Sequence, residues 1–99
     1  MLKSESMQQI RTGLRRIMGD FLKTQPPEEA PILAWPVVCG ADVASRTQAV
    51  EFADGRLTVE VIDAAWCAQL TALVPRYLSS LDELLPNVVK EVRLQTKKR

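Results

Sequence analysis

The sequence predicts a single α+β domain in which three strands form one sheet and helices cover one of its faces. Two observations carry this prediction. Apolar residues recur at spacings of three and four in several segments, which is the period of amphipathic helices. They alternate with polar residues on both sides of Asp54-Gly55, which is typical of a β-hairpin. The predicted order is helix, helix, strand, strand, helix, strand, and all 99 residues fit one domain with one core.

The first predicted helix carries one apolar stripe, which we expect to face the core. Its members are Met7, Ile10, Leu14, Ile17 and Phe21. The dipeptide Pro26-Pro27 ends the helix because proline cannot donate to the helical ladder. Arginines flank the stripe at positions 11, 15 and 16. Their side chains either cover the edge of the core with their stems or contact nucleic acid or a partner protein.

A second helix is predicted after Pro31, since proline suits the first turn of a helix. Its side chains are mostly apolar. Pro36 predicts that the helix begins irregularly or bends at that point. Trp35 is surrounded by apolar residues, which favours a place in the core over its alternative, a contact with a partner.

The hairpin is the best specified local element. Asp54-Gly55 favours a two-residue type I′ turn, because glycine tolerates the positive φ that this turn requires. The resulting register predicts two pairs on the core face and one pair on the polar face. These pairs are Phe52 with Leu57, Val50 with Val59, and Glu51 with Thr58.

A long third helix and a last strand complete the predicted domain. Asp63 caps the helix, Pro75 predicts a kink or two abutting segments, and Pro86-Asn87 ends it. The last strand spans residues 88–95, with apolar side chains inward, and the basic tail at residues 96–99 is expected to be frayed. The pattern leaves open whether this strand runs parallel or antiparallel to its neighbour.

Composition points to a folded protein of the cytoplasm. Apolar residues make up 46% of the chain, enough to fill a core, and the charged fraction of 25% is ordinary for a folded domain. No apolar run approaches the roughly 20 residues that cross a bilayer. The polar N-terminal segment does not have the pattern of a signal peptide. We therefore expect a cytoplasmic location, with no membrane contact.

Neither a catalytic site nor a metal site is expected. The chain has no histidine, and its two cysteines are too few for a structural zinc site. Cys39 and Cys67 both fit apolar helical patterns, where a free cysteine acts as a small hydrophobe. The neighbouring acids Glu28-Glu29 and Asp82-Glu83 fit helix ends better than an acid/base pair. We predict a binding protein without enzymatic activity, cofactor or small-molecule substrate.

The uneven distribution of charge suggests candidate contacts with nucleic acid. Residues 1–23 carry a net charge of +3, residues 24–63 carry −5 and residues 64–99 carry +3. Basic ends attract phosphate or an acidic protein surface, although a mixed surface that only confers solubility has the same pattern. The candidate nucleic-acid-binding residues are Arg11, Arg15, Arg16, Lys97, Lys98 and Arg99.

Trp66 is the main candidate for contact with a partner protein. It follows the hairpin directly and begins the long helix. Tryptophan is enriched at the energetic centres of interfaces, but a core anchor is the alternative and the favoured interpretation, which partial exposure of the side chain would reverse. Trp35 is the second, weaker candidate for a partner contact.

Several short motifs follow one another along about two thirds of the chain. They are Trp35-Pro36-Val37-Val38-Cys39-Gly40, Asp54-Gly55-Arg56-Leu57-Thr58-Val59-Glu60-Val61, Ala65-Trp66 and Val92-Arg93-Leu94. In this order they resemble the DciA family, small bacterial proteins associated with the replicative DNA helicase.

The resemblance implies a K-homology-like fold and an accessory protein, without ATPase activity, that assists loading of the DnaB-type helicase onto DNA. K-homology domains clamp nucleic acid with a Gly-x-x-Gly loop. The stretch Gly40-Ala41-Asp42-Val43 has only the first glycine, so we expect weak binding of single-stranded or forked DNA. The alternative function is a general single-stranded nucleic-acid (DNA or RNA) binding module. Either role is compatible with association with the nucleoid.

Overall fold

The computed structural model describes residues 16–97, and they form an α+β domain as predicted. Residues 16–23 form helix α1. The following elements, in chain order, are α2 (Ala30–Ala44), β1 (Thr47–Ala53), β2 (Arg56–Val61), α3 (Ala64–Thr71), α4 (Val74–Leu84) and β3 (Glu91–Thr96). The predicted order of elements is confirmed, with the long third helix divided into α3 and α4.

The central strand of the sheet is β2, which pairs with β1 on one side and β3 on the other. The β1–β2 pair is antiparallel, as a hairpin requires, and the β2–β3 pair is parallel. A parallel pair needs a long crossover connection, which α3 and α4 supply. This settles the direction of the last strand, which the sequence pattern left open.

The core lies on the face of the sheet that the helices cover. Leu57, Val59 and Val61 alternate along β2, and each is 0% exposed. The opposite face is polar, and there Arg56 of β2 forms an ion pair with Glu91 of β3 at 3.3 Å between Nε and Oε1. Among residues 16–97, no polar or charged side chain is buried in the core.

The hairpin has the predicted turn, and two of its three predicted pairs. Asp54 and Gly55 have φ values of 52° and 78°, as a type I′ turn requires. The pairs Phe52–Leu57 and Glu51–Thr58 are confirmed.

The predicted pair of Val50 with Val59 is wrong. Val59 lies opposite Ala49, the register shifts between Ala49 and Glu51, and Val50 is 40% exposed. Thr47 and Phe52 both lie opposite core-facing residues of β2, although five positions separate them and strict alternation would put them on opposite faces. A bulge at Val50 inserts one extra residue into β1. Thr47 and Phe52 can therefore both lie opposite core-facing residues of β2.

The irregularity predicted in α2 lies at Gly40 rather than at Pro36. The helix runs through Pro36 and breaks at Gly40, whose φ of 85° and ψ of 164° are not helical. This conformation is accessible to glycine because it has no Cβ. The break redirects the last turn of α2 before the chain enters β1.

The division between α3 and α4 agrees with the sequence prediction of two abutting segments. Asp63 caps α3 as predicted, and its Oδ1 accepts a hydrogen bond of 2.8 Å from the backbone N–H of Trp66. Pro75 lies in the first turn of α4, where a backbone N–H would have no helical partner in any case. Asn87, with a φ of 63°, follows the end of α4.

The orientation of α1 differs from the prediction. Ile17 and Phe21, the part of the predicted core stripe that lies within the described residues, are 66% and 49% exposed. Leu22 is buried instead, and a Cβ on Gly19 would lie 3.7 Å from the carbonyl oxygen of Leu84. The side of α1 that carries Gly19 and Leu22 therefore packs towards the end of α4. Met7, Ile10 and Leu14 lie outside the described residues.

A Gly55→Ala substitution should lower the free energy of unfolding by about 1–2 kcal/mol, because an L-residue at positive φ is strained. The new Cβ would also lie 3.0 Å from Cγ of Lys90. The same substitution in a Lys90→Ala background should therefore cost less, as measured by urea denaturation of all four proteins. Equal costs in the two backgrounds would show that Lys90 does not crowd the turn.

Candidate interaction surface at one end of the sheet

Trp66, the main sequence candidate, is half-buried in the first turn of α3. The Asp63 cap fixes the backbone of this turn. Part of the ring packs against the core, and the guanidinium carbon of Arg46 lies 4.7 Å from the ring centroid, over its face. Such a cation–π contact contributes about 0.5–1 kcal/mol at an exposed site. Trp66 is thus both a boundary residue of the core and part of the surface.

Arg46 is held in place at its backbone and at the end of its side chain. Its backbone carbonyl accepts a hydrogen bond of 3.0 Å from the N–H of Ile62. One terminal guanidinium nitrogen donates to the carbonyl oxygen of Asp42 at 3.2 Å and to Oγ of Ser45 at 3.3 Å. These acceptors lie at the end of α2, where the helix dipole favours a cation. The guanidinium carries five N–H donors in all, more than these two contacts use.

The topology of the sheet brings Arg46 together with two other residues. Arg46 precedes β1, Ile62 follows β2 and Lys97 follows β3. Because β1 is antiparallel and β3 parallel to β2, these three positions lie at the same end of the sheet. The backbone N–H of Lys97 accordingly donates to the carbonyl of Val61 at 2.8 Å.

We call Arg46, Ile62, Trp66 and Lys97 the Arg46–Trp66 surface. Ile62 is 57% exposed, and it lines one concavity with Arg46, Lys97 and Glu60. The surface therefore combines an exposed aliphatic side chain, part of an indole ring and two cations beside one carboxylate. Aromatic residues and arginine are the types enriched in interface cores.

Trp35 has a structural role. It is 1% exposed, its indole N–H donates to Oγ1 of Thr47 at 2.9 Å, and its ring meets that of Tyr77 edge-on at a centroid distance of 5.2 Å. The Thr47 hydroxyl in turn donates to the carbonyl of Val43 at 2.8 Å. A partner could reach the Trp35 ring only by opening the core, so we do not include Trp35 in the proposed contact surface.

The basic candidate residues are only partly within the described chain. Arg16 on α1 and Lys97 after β3 are both exposed, whereas Arg11, Arg15, Lys98 and Arg99 lie outside the described residues. The structure does not bring Arg16 and Lys97 together. The α1 helix packs beside Leu84, where α4 returns the chain towards the beginning of β3, and Lys97 lies beyond the other end of that strand.

Two features of residues 16–97 bear on metal binding and thiol chemistry. No group of three or more Cys, Asp or Glu side chains in residues 16–97 is placed to hold a metal ion. Cys39 and Cys67 are free thiols packed against the core. Burial raises the pKa of the Cys39 thiol from 9.0 to about 11, so it remains protonated at neutral pH and is a poor nucleophile.

Of the four residues of this surface, the sequence prediction included Trp66 and Lys97 but not Arg46 or Ile62. Arg46 stands alone between a helix and a strand, and no periodic pattern marks it. Ile62 follows the last inward-facing residue of β2, so alternation indicated only that it points away from the core. Their contribution depends on three chain segments meeting at one end of the sheet, which sequence spacing does not encode.

The described residues form a small α+β domain with a mixed apolar and basic surface at one end of its sheet. Comparison with known protein families shows which family this chain belongs to. The family model described as "Dna[CI] antecedent, DciA" matches residues 4–94. The chain belongs to the DciA family, which is associated with loading of the DnaB-type helicase and with DNA replication.

One curated relative is a UPF0232 protein of Bifidobacterium longum. It is 31% identical to this chain over 61 residues, which cover 61% of the chain and 39% of the relative's own length. The matched segment thus spans about two fifths of that relative. In the described part of the chain, no helix has the length and apolar character needed to cross a membrane.

The raised pKa of Cys39 predicts a pH dependence of stability. Above pH 9 the unfolded chain loses the thiol proton while the folded protein retains it until about pH 11, so the free energy of unfolding should fall over this interval. Burial also raises the pKa of Tyr77, which adds a change of the same sign. The decline should be smaller in Cys39→Ala, as measured by urea denaturation between pH 8 and 11.

A Cys67→Ala variant controls for the removal of a half-buried thiol in this experiment. If Cys39→Ala and the wild type decline equally, ionisation of Cys39 makes no contribution to the effect.

Proposed function

We propose that this protein is a non-enzymatic accessory factor that assists loading of the DnaB-type replicative helicase onto DNA, through protein contacts and weak DNA binding. Membership of the DciA family over residues 4–94 is the observation that carries this proposal. The likeness to K-homology domains and a location in the cytoplasm at the nucleoid belong to the same proposal.

The proposed contact with the helicase is the Arg46–Trp66 surface. Interface hot spots combine a rigid aromatic or arginine anchor with surrounding apolar area, and this surface places Arg46 on the Trp66 ring beside the exposed Ile62. The hydrogen bonds to Asp42 and Ser45 hold Arg46 in advance of binding. The side chain therefore gives up less conformational entropy when a partner binds.

DNA binding is assigned to the basic ends of the chain. Lys97 is exposed beside Arg46 in one concavity, and Lys98 and Arg99 follow it in the sequence. Glu60 lines the same concavity and opposes phosphate. With few cations and no Gly-x-x-Gly clamp, binding should be weak, and each phosphate that a cation neutralises should add about 0.7 to the log–log salt slope.

Binding alone is sufficient for the proposed role. A protein that hydrolyses no nucleotide shifts a conformational equilibrium of its partner by binding one state more tightly than another. A loading factor of this kind would favour the helicase conformation that admits DNA. A general single-stranded nucleic-acid module, the alternative, would bind DNA or RNA equally well without the helicase, so the two roles predict different results.

The first test of this role is binding and loading of the purified helicase. Ile62→Glu and Arg46→Glu should each weaken binding about 30-fold, since truncation of hot-spot residues costs about 2 kcal/mol or more. Both variants should also slow loading of the helicase onto forked DNA. Affinity is measured by biolayer interferometry and loading by the rate of strand separation.

Val50→Glu is the matched control, because it adds the same charge at a side chain that is 40% exposed on the β1 bulge. If wild-type protein neither binds the helicase nor changes its loading, the proposed role is wrong. If Val50→Glu weakens binding as much as Ile62→Glu does, the helicase binds at a different surface.

The second test is the salt dependence of binding to single-stranded DNA. Lys97→Glu should lower affinity and reduce the log–log salt slope by about 0.7 for each phosphate that the variant no longer neutralises. Fluorescence anisotropy of a labelled oligonucleotide between 50 and 200 mM NaCl measures both quantities. Arg76→Glu, an exposed residue of α4, makes the same change in net charge at a different place. Equal effects of the two variants would exclude Lys97 as a specific DNA-binding residue.

A further inference from the structure

A concavity between α2 and α4, which we call the α2–α4 concavity, takes no part in the contacts proposed above. Its volume is ≈ 350 Å³, and ligand sites usually measure about 300–1,000 Å³. Helix α2 contributes two of its lining residues, and α4 with the residue before it contributes four. These residues are Val38, Cys39, Leu73, Arg76, Tyr77 and Ser80. None of them belongs to the Arg46–Trp66 surface.

The lining residues come together through the helical spacing of α4 and the packing of α4 against α2. Residues three and four apart share one side of a helix, and positions 73, 76, 77 and 80 follow this spacing. The ring of Trp35 on α2 meets the ring of Tyr77 edge-on at a centroid distance of 5.2 Å. One turn later on α2, the thiol of Cys39 donates to the carbonyl oxygen of Gly40 at 3.7 Å. Core packing therefore fixes both walls of the concavity.

The Tyr77 hydroxyl is a polar group without a protein partner in the described part of the chain. The side chain is only 8% exposed, yet no residue in the range 16–97 is hydrogen-bonded to its hydroxyl. No fully buried side-chain oxygen in this range lacks a partner, so the hydroxyl reaches solvent, and Tyr77 lines the concavity. Burial raises the pKa of Tyr77 from 10.0. The hydroxyl therefore keeps its proton at neutral pH and can donate a hydrogen bond to a ligand.

The charge of the lining favours an anion. Arg76 is exposed, and none of the described lining residues is acidic. Arg76 is not in an ion pair with another residue of the range 16–97. The Cys39 thiol adds no negative charge at neutral pH, because burial raises its pKa to about 11. Ser80 supplies a further hydroxyl, which can also donate to an anion.

A carboxylate on an aliphatic residue fits this lining better than a phosphate does. A guanidinium binds a carboxylate through two parallel hydrogen bonds, and one cation balances its single charge, whereas a phosphate monoester carries a charge of about −1.5 to −2. Val38 and Leu73 are half-buried and provide apolar contact area. The last residue of a polypeptide carries a carboxylate and a side chain on one Cα atom. Such a residue can satisfy both parts of the concavity at once, and the exposed position of Arg76 leaves room for the preceding residues.

We propose that the α2–α4 concavity binds the C-terminal residue of a partner polypeptide, whose aliphatic side chain packs against Val38 and Leu73. Its carboxylate accepts hydrogen bonds from the Arg76 guanidinium and the Tyr77 hydroxyl. This site is additional to the proposed helicase contact, and the two share no residue.

The test uses the full chain and two labelled peptides of about eight residues, long enough to extend well past the concavity. Both end in leucine, one with a free carboxylate and the other with a C-terminal amide. The carboxylate form should bind about tenfold more tightly than the amide, because hydrogen bonds to a charged group are the stronger ones. A third peptide, in which glycine replaces the leucine, should bind about tenfold more weakly than the leucine carboxylate, because it buries no aliphatic side chain. Fluorescence anisotropy measures all three affinities.

Variants of the two donors assign the contact to this concavity. Arg76→Gln and Tyr77→Phe should each weaken binding of the leucine carboxylate about tenfold and leave binding of the amide almost unchanged. Tyr77→Phe keeps the ring that packs on Trp35, and urea denaturation should show that its stability is close to that of the wild type. Arg93→Gln is the matched control, because Arg93 is an exposed arginine of β3 that does not line the concavity. It should leave both affinities unchanged.

Three results would overturn the proposal. The first is equal binding of the carboxylate and the amide, and the second is an equal effect of Arg93→Gln and Arg76→Gln. The third is competition by free 4-methylpentanoate with the same affinity as the peptide, which would show that the occupant is a small acid and not the end of a polypeptide. None of these measurements involves the helicase, so their outcome is independent of the proposed role in helicase loading.

Discussion

Every second side chain of the central strand is removed from water, and this constraint organises the rest of the domain. Leu57, Val59 and Val61 are each 0% exposed, and burial at this level requires cover along the whole length of β2. The helices supply that cover on one face, while β1 and β3 satisfy the backbone of β2 on its two edges. A polar residue at any of the three positions would leave a buried group without a partner.

The same strand explains how the candidate surface forms. One neighbour of β2 is antiparallel and the other parallel, so the beginning of β1, the end of β2 and the end of β3 coincide. Arg46, Ile62 and Lys97 meet there, although a helix pair and a whole strand separate the last two in the sequence. The Asp63 cap then begins α3 so that Trp66 lies beneath Arg46. The surface is thus a product of strand direction, a helix cap and one cation–π contact.

The Arg46–Trp66 surface and the exposed side of α1 differ in character. The Arg46–Trp66 surface is small, preorganised and mixed in character, whereas the exposed side of α1 presents the apolar side chains of Ile17 and Phe21. Neither surface contains a group prepared for chemistry, and the thiol of Cys39 is held protonated by its burial.

The sequence by itself determined the elements whose signals are local: the type I′ turn at Asp54-Gly55, the Asp63 cap, the division of the long helix near Pro75 and the inward alternation of β2. It did not determine the bulge at Val50, because a bulge changes which residues face the core while leaving composition and spacing almost unchanged. Only the tertiary structure decided that β3 runs parallel to β2. It also decided that α1 turns Gly19 and Leu22 inward rather than Ile17 and Phe21, and that the Arg46 guanidinium lies over the Trp66 ring. Each of these depends on which surfaces meet across the core, and a periodic pattern defines an apolar face without specifying what packs against it.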